Sequence, residues 1–368
     1  MATKAQGHPT LEDARELLEW QPPLGLLSVY LRIDPGDRSG AWRTELRNGL
    51  SDALRSADTA EHELRVALRS TVDRINERFS DQELPPLPRG EVGFIEIARE
   101  PAGERWWSTH LAPRSAANVY LAGQPVLTPF LRLATRSRPR GITLVSAERV
   151  RFLEWEPGHL EELHSGELTL LSEDWRERKA PMSPDPARAQ GVSAAGRDQF
   201  DERLTENRHR FLKECGRLAS QVAGERAWAE VIAFSPPQYA DYFRAGFHST
   251  SAELVLGGEV DLIAEPVGQL LEPVEEAIER RDAEQDRELV ERALEEARAG
   301  AHGVTGAEET MAALEEARVE HLIVDDARGD SEPLVSRALA TGARITPVAG
   351  DAADLLAPTD GVATLLRY

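Results

Sequence analysis

The 368-residue sequence has one cysteine, Cys215, and no run of about 20 apolar residues. A single thiol cannot form an intrachain disulfide or a thiolate-rich metal site. Because Cys215 lies in a stretch with helical spacing, we interpret it as a small buried side chain rather than a nucleophile. Without a long apolar run or a secretory signal in residues 1–9, we expect a soluble, cytoplasmic protein with no membrane contact.

The sequence also lacks the usual motifs for nucleotides and metals. It contains neither a Walker A motif nor G-x-G-x-x-G, so no cofactor is expected. His159 and His164 are five residues apart, whereas a helical metal-binding pair uses a spacing of four. Asp325, Asp326 and Asp330 are interpreted as solvated loop carboxylates, and no metal site is predicted. Around Ser193 the spacing G-x-S-x-x-G differs from that of a nucleophile elbow.

Basic residues are outnumbered, with 43 Lys and Arg against 64 Asp and Glu, which gives a net charge of −21. This balance argues against broad electrostatic binding to nucleic acid, because phosphate neutralisation needs clustered Lys and Arg. Two clusters do occur: one of Arg132, Arg136, Arg138 and Arg140, and one of Arg176, Arg178, Lys179 and Arg188. Each is either a solvated face or an RNA contact, and the sequence leaves both open.

Strand and helix patterns alternate along the chain and predict an α/β protein of three domains, with boundaries at 1–137, 138–266 and 267–368. In the first domain a short helix at 10–20 precedes a strand at 26–33 and a helical stretch at 40–78. Trp106 and Trp107 share a predicted strand and are interpreted as packing on its two faces. A polar, proline-containing linker is predicted at 136–140.

The second domain is predicted to begin with strands at 142–145, 150–155 and 167–171, and a proline-containing loop at 172–195 precedes a long helix at 196–222. A helix at 267–299 opens the third domain. It is followed by predicted helices at 307–317, 333–340 and around Leu355, and by strands at 319–324, 344–348 and 361–368.

The last hundred residues carry a family resemblance. Acidic helix residues 291–299 are followed by Val304–Leu314 (VTGAEETMAAL), Ala317–Asp326 (ARVEHLIVDD) and the ending Asp360–Tyr368 (DGVATLLRY). This order resembles the C-terminal domain of the archaeal and eukaryotic release factor and Pelota family. The resemblance implies a three-domain architecture with a ribonuclease-H-like middle domain and a small α/β-sandwich C-terminal domain. Such proteins act on the ribosome.

Two family motifs are missing from the sequence. Release factors carry Gly-Gly-Gln before the long middle-domain helix, where it positions water for hydrolysis of peptidyl-tRNA. The matching loop here is Ala187–Arg197 (ARAQGVSAAGR), and Gln190 precedes its glycine without the glycine pair that permits φ > 0. An Asn-Ile-Lys-Ser stop-codon motif is also absent near residues 43–48. The pattern resembles the bacterial branch of the family, which includes Balon-like hibernation factors without the hydrolytic motif.

Three functional hypotheses follow. In the first, the protein is a non-enzymatic translation factor that binds rRNA and the ribosomal A site in hibernation or rescue. Its RNA contacts would be made by Arg136, Arg138 and Arg140 of the first cluster, by all four residues of the second cluster, and by Arg197. In the second, it is a peptidyl-tRNA hydrolase in which Gln190 or Ser193 replaces the usual catalytic glutamine. In the third, the helix at 267–299 and its neighbours form an acidic module for a basic protein, with a translational GTPase as the partner that the resemblance implies.

Overall fold

The computed structural model describes residues 3–5, 9–33, 40–80, 89–109, 117–167, 194–248, 252–258 and 262–368. The chain forms two units, one made of residues 1–138 with 280–368 and the other of residues 139–279. The predicted α/β class is confirmed. The division into three domains at the stated boundaries stays a prediction.

The N-terminal segment builds a mixed sheet with helices on both faces. In the described part of residues 1–138 the sheet order is β1-β4-β3-β2-β5, in which β1 is parallel to β4 and the other pairs are antiparallel. The elements are β1 (Thr3–Ala5), α1 (Leu11–Leu18), β2 (Leu26–Ile33), α2 (Ala41–Ser56), α3 (His62–Ser80), β3 (Arg89–Glu96), β4 (Glu104–Thr109), β5 (Ala117–Ala122) and α4 (Thr128–Arg136).

Both faces of this sheet are buried, which explains the apolar character of β2. Leu27 and Leu31 pack in the core formed with α2 and α3, whereas Tyr30 packs in the core that includes α1 and α4. Trp106 and Trp107 are both buried, one in each of these cores. The interpretation of the tryptophan pair as packing on two faces is therefore confirmed.

The middle unit has one sheet whose described strands follow the order β10-β9-β6-β7-β8. Strands β6, β7 and β8 form an antiparallel meander, and β9 and β10 extend the sheet in parallel beside β6. This is the ribonuclease-H-like order that the resemblance implied. The elements are β6 (Arg140–Val145), β7 (Arg149–Glu156), β8 (His159–Glu167), α5 (Ala194–Glu225), β9 (Glu230–Phe234), α6 (Pro237–Gly246) and β10 (Glu253–Gly258).

The C-terminal segment follows a helix that runs through the boundary between the two units. The described strands of this segment have the order β11-β14-β12-β13, with β12 and β13 parallel. Every helix and strand predicted after residue 266 is present at nearly the expected bounds. The elements are α7 (Val267–Arg298), β11 (Gly303–Thr305), α8 (Ala307–Glu315), β12 (Val319–Asp325), α9 (Glu332–Thr341), β13 (Arg344–Val348), α10 (Asp351–Leu356) and β14 (Val362–Leu366).

Two local predictions differ from the structure. A third strand was expected at 167–171, but the strand lies at His159–Glu167, because Gly158 in a left-handed conformation (φ 72°) closes a tight hairpin after β7. Residues 168–171 lie outside the described residues. The stretch 136–140, expected to be a linker, contains the end of α4 and the start of β6.

Candidate functional site

Most of the predicted catalytic and RNA-binding residues lie outside the part of the chain that the structure describes. Residues 168–193 fall between β8 and α5, and they include Gln190, Ser193, Arg176, Arg178, Lys179 and Arg188. Arg197 belongs to the first turns of α5, but its side chain is not described. The roles given to these residues stay predictions. What the structure does define is the helix that follows the loop.

Helix α5 presents two opposite faces. Leu212, Cys215 and Ala219 are spaced by three and four residues and are buried against β6, β7, β9 and α6. Burial raises the pKa of the Cys215 thiol to about 12, so the thiol stays protonated at neutral pH. This supports its interpretation as a core residue. The opposite face carries Arg210, Lys213 and Arg217, which are exposed.

These three cations, next to the exposed acids Glu206 and Glu214, form the α5 basic face. The same three- and four-residue spacing places their side chains next to one another along the helix. Arg217 forms an exposed ion pair with Glu214, and Arg210 donates to the side chain of Asn207 at 2.9 Å. Exposed ion pairs of this kind contribute little to stability, and phosphate can compete with them. The face therefore keeps three cations accessible at the protein surface.

Gly216 and Gly246 hold α5 tightly against α6. A Cβ atom at Gly216 would lie 2.1 Å from the carbonyl oxygen of Phe243, and one at Gly246 would lie 2.0 Å from that of Lys213. Both helices thus approach backbone to backbone, which only glycine allows. The contact fixes α5, and with it the basic face, against α6 in the middle unit.

Arg140 is a predicted RNA-binding residue that the structure places inside the middle unit. Its Nη1 atom donates to the Glu230 carboxylate at 3.0 Å, and its guanidinium lies 5.8 Å from the ring centre of Trp155. The side chains of Arg140 and Glu230 are only 11% and 9% exposed. A buried charge needs such a partner, and this geometry indicates a structural role. The ion pair does not test whether Arg140 also binds RNA.

Arg136 is likewise held by acidic side chains, here within the unit formed by 1–138 and 280–368. It contacts Asp282 at 2.8 Å and also pairs with Asp286, both on α7. Burial raises the pKa of Asp286, although the neighbouring Arg136 lowers it in part. Arg138, two residues further on, is exposed. Of the three arginines predicted in this stretch, only Arg138 presents an exposed charge.

Glu332 is a partly buried acid that sequence reasoning missed. Its carboxylate accepts hydrogen bonds from the backbone N–H groups of Leu127 and Thr128 at 2.7 and 2.8 Å, and from the Thr128 hydroxyl. Burial raises its pKa, and these hydrogen bonds act in the opposite direction. No local sequence pattern pointed to this carboxylate, because Leu127 and Thr128 lie about two hundred positions before it in the chain.

The remaining acids and histidines do not assemble into a metal site in the described ranges. No group of three or more His, Cys, Asp or Glu side chains there has suitable geometry for a metal ion. Asp326 pairs with Arg132, Asp330 with Arg328, and Asp325 accepts from the backbone of Ala327 at 3.0 Å. His164 stacks on Phe152 across β7 and β8. No described helix is long and apolar enough to span a membrane.

A shallow groove lies at one end of the N-terminal sheet. Its volume is about 760 Å³, and it is lined by residues 21–25, by Ala60, Glu61 and Leu64, and by Gly123 and Gln124. The one charged lining residue, Glu61, is acidic. The groove therefore lacks the cations that an RNA backbone requires.

With the middle unit and α5 defined, a family match can be placed on the fold. Residues 125–298, just under half of the chain, match the family described as bacterial archaeo-eukaryotic release factor family 10. This stretch runs from before α4 to the end of α7 and contains the whole ribonuclease-H-like sheet. In this stretch, which holds the middle unit, the chain is similar to bacterial proteins of the release-factor class.

Solved structures of this class are similar to the chain over most of its length. The archaeal translation termination factor aRF1 is 19% identical, with 98% of each chain covered and a TM-score of 0.27. Dom34 of S. cerevisiae, a translation termination-like factor that interacts with Hbs1, is 10% identical over 76% of this chain and 79% of its own, with a TM-score of 0.41.

Archaeal Pelota, described in a ribosome-bound model with ABCE1, is 14% identical over 98% of this chain and 95% of its own, with a TM-score of 0.39. No curated protein sequence matches the chain. At such identities residue roles are not transferable, and the functional residues of this chain are inferred from its own contacts.

Proposed function

We propose that the protein is a ribosome-binding factor that occupies the A site in hibernation or rescue, without Gly-Gly-Gln-dependent hydrolysis. The family match at 125–298 carries this proposal, because it covers the unit in which release factors hold their hydrolytic loop. The sequence contains no Gly-Gly-Gln anywhere. A factor that retains the fold without the motif fits a role in occupying the site.

The α5 basic face supports an RNA contact in a protein whose net charge is −21. Such a charge repels RNA at long range, so binding requires a local cationic surface. Arg210, Lys213 and Arg217 supply one on a helix that is rigidly packed. Phosphate contacts position a protein without reading sequence, which suits recognition of folded rRNA.

Co-sedimentation with purified ribosomes tests the proposal. We expect the full chain to pellet with ribosomes from starved cells, with binding that weakens as salt rises because phosphate contacts release counterions. Ribosomes loaded with tRNA in the A site should bind less protein. Failure to pellet with any ribosome preparation, or binding unaffected by A-site tRNA, would contradict the proposed function.

A second candidate, peptidyl-tRNA hydrolysis, is favoured by one observation: Gln190 lies beside a glycine in the loop that matches the Gly-Gly-Gln position. Ser193 is the other candidate side chain. A peptide-release assay on stalled ribosomes distinguishes the two functions. If wild-type protein releases peptide and Gln190→Ala or Ser193→Ala abolishes release, the protein is an enzyme; absence of release in the wild type rejects this candidate.

A translational GTPase is the proposed protein partner, because the matched Dom34 is described as interacting with Hbs1. Exposed acids along α7, including Glu284, Glu288 and Glu295, give this helix a surface suited to basic side chains. Pull-down of purified bacterial elongation-factor GTPases by the full chain tests the partner. If the double variant Glu284→Lys and Glu288→Lys, which reverses both charges, still retains the GTPase, the acidic surface of α7 is not the binding site.

A further inference from the structure

Helix α4 is capped by a residue of another segment. Leu127, its N-cap residue, has no side-chain group for the free backbone N–H groups of the first turn. Those of Leu127 and Thr128 donate instead to Glu332, the first residue of α9, which lies about two hundred positions later in the chain. A carboxylate at this end also interacts favourably with the helix dipole.

The same helix offers two arginines, one and two turns further along. Arg132 pairs with Asp326, which follows β12, and Arg136 pairs with Asp282 and Asp286 on α7. A spacing of four residues places both arginines on one side of α4. These side chains are 26% and 15% exposed, so both ion pairs are largely shielded from water. Residues 280–368 thus contact α4 along its whole length.

Apolar contacts enclose the rest of α4. Phe130 meets Trp107 edge to face with ring centres 5.0 Å apart, on the side of the N-terminal sheet. The same continuous core includes Leu334, Val335 and Ile345 of the C-terminal segment, and α4 packs against β13. One core is therefore built from residues that precede and follow the middle unit.

We propose that residues 280–368 carry a helix-binding site whose ligand is the chain's own α4, and that this docking makes 1–138 and 280–368 one cooperative unit. In this site, Glu332 binds the free backbone N–H groups at the N-terminus of α4. Asp326, Asp282 and Asp286 bind the two arginines, which are four residues apart. Residues 139–279 are then an insertion into that unit. The C-terminal segment does not open independently of the N-terminal one.

Hydrogen exchange of the full chain, measured by mass spectrometry at low denaturant concentration, tests this proposal. We expect peptides from 1–138 and 280–368 to share one opening equilibrium, distinct from that of 139–279. Glu332→Ala removes the acceptor of two backbone N–H groups and should speed exchange in both segments together, by roughly 10- to 100-fold. Peptides of 139–279 should keep their rates.

Glu308→Ala is the matched control, since Glu308 also lies in the first turn of a helix but is exposed. It should leave exchange nearly unchanged. Glu332→Gln keeps one acceptor oxygen, so it should speed exchange less than the alanine variant, but again in both segments. It replaces the alanine variant if that variant does not fold. Charge reversal by Arg136→Asp should also speed exchange in both segments. Adding Asp286→Arg should partly restore the wild-type exchange rates. Acceleration confined to 280–368 in these variants, or equal in all three segments, would overturn the proposal.

Discussion

Helices α4 and α5 both carry basic residues three or four positions apart, yet the two sets have opposite surroundings. Arg132 and Arg136 on α4 face aspartates of the same unit, whereas Arg210, Lys213 and Arg217 on α5 face solvent. The first set is used in holding the fold together. The second is available to a partner. In an acidic protein, a basic cluster in the sequence therefore does not identify an RNA surface until its exposure is known.

The largest expected contrast is between two neighbouring arginines. Arg140→Ala leaves the buried Glu230 carboxylate without this ion pair and should lower the free energy of unfolding of the middle unit by about 3–5 kcal/mol. Arg138→Ala removes an exposed charge and should change it by less than about 0.5 kcal/mol. Hydrogen exchange of peptides from 139–279 at increasing urea concentration provides the measurement. Equal effects of the two substitutions on the free energy of unfolding would contradict the structural role of Arg140.

Histidines of the C-terminal segment give a second, smaller contrast, between His321 and the exposed His302. Burial, with Arg344 and Arg292 nearby, lowers the pKa of His321 to about 4. In the unfolded chain it gains a proton near pH 6.5, and in the folded chain it does not. The stability of the unit is therefore complete above pH 6.5 and falls as the pH drops toward 4, by about 2–3 kcal/mol from this group.

Denaturant midpoints between pH 7.5 and 4.5 check this sign. His321→Asn should flatten the pH dependence over that interval, and His302→Asn should leave it as in the wild type. If both variants keep the wild-type slope, His321 is not the group responsible. Its ring nitrogen lies 2.8 Å from the Thr346 hydroxyl, so the asparagine variant will also have a lower stability at neutral pH.

Much of the fold could be predicted from local patterns. Thr10 and Asp13 form a capping box that starts α1, and the bounds of β2 and α7 agree with the apolar periodicity of the sequence. Helix α4 was missed because its nine residues contain a proline and its N-terminal cap is Glu332, far along the chain. The partners of Arg136 and Arg140 were missed for the same reason: tertiary contacts decide them.

Substitutions in the α5 basic face should have the smallest effect on stability and the clearest effect on ribosome binding. Replacing Arg210, Lys213 and Arg217 by alanine removes exposed charges and should alter stability by less than about 1 kcal/mol in total. If each contacts a phosphate, the slope of log binding constant against log salt should fall by about two to three. Ribosome binding at several salt concentrations measures this. The matched control removes three exposed arginines from other helices: Arg69, Arg298 and Arg337.

A control variant that weakens binding as much as the α5 variant would mean that net charge, rather than the α5 basic face, determines affinity. An unchanged slope in the α5 variant would place the RNA contact elsewhere. Either result would leave the family match at 125–298 as it stands and reject the particular surface proposed for RNA binding.

Electron-microscopy imaging of ribosomes from starved cells, mixed with the full-length protein, is the most direct test of A-site occupancy. We expect density for the protein in the A site, with the α5 basic face against rRNA and no cleaved peptidyl-tRNA. Protein density outside the A site, or an A site that stays empty while the protein is bound elsewhere, would contradict it.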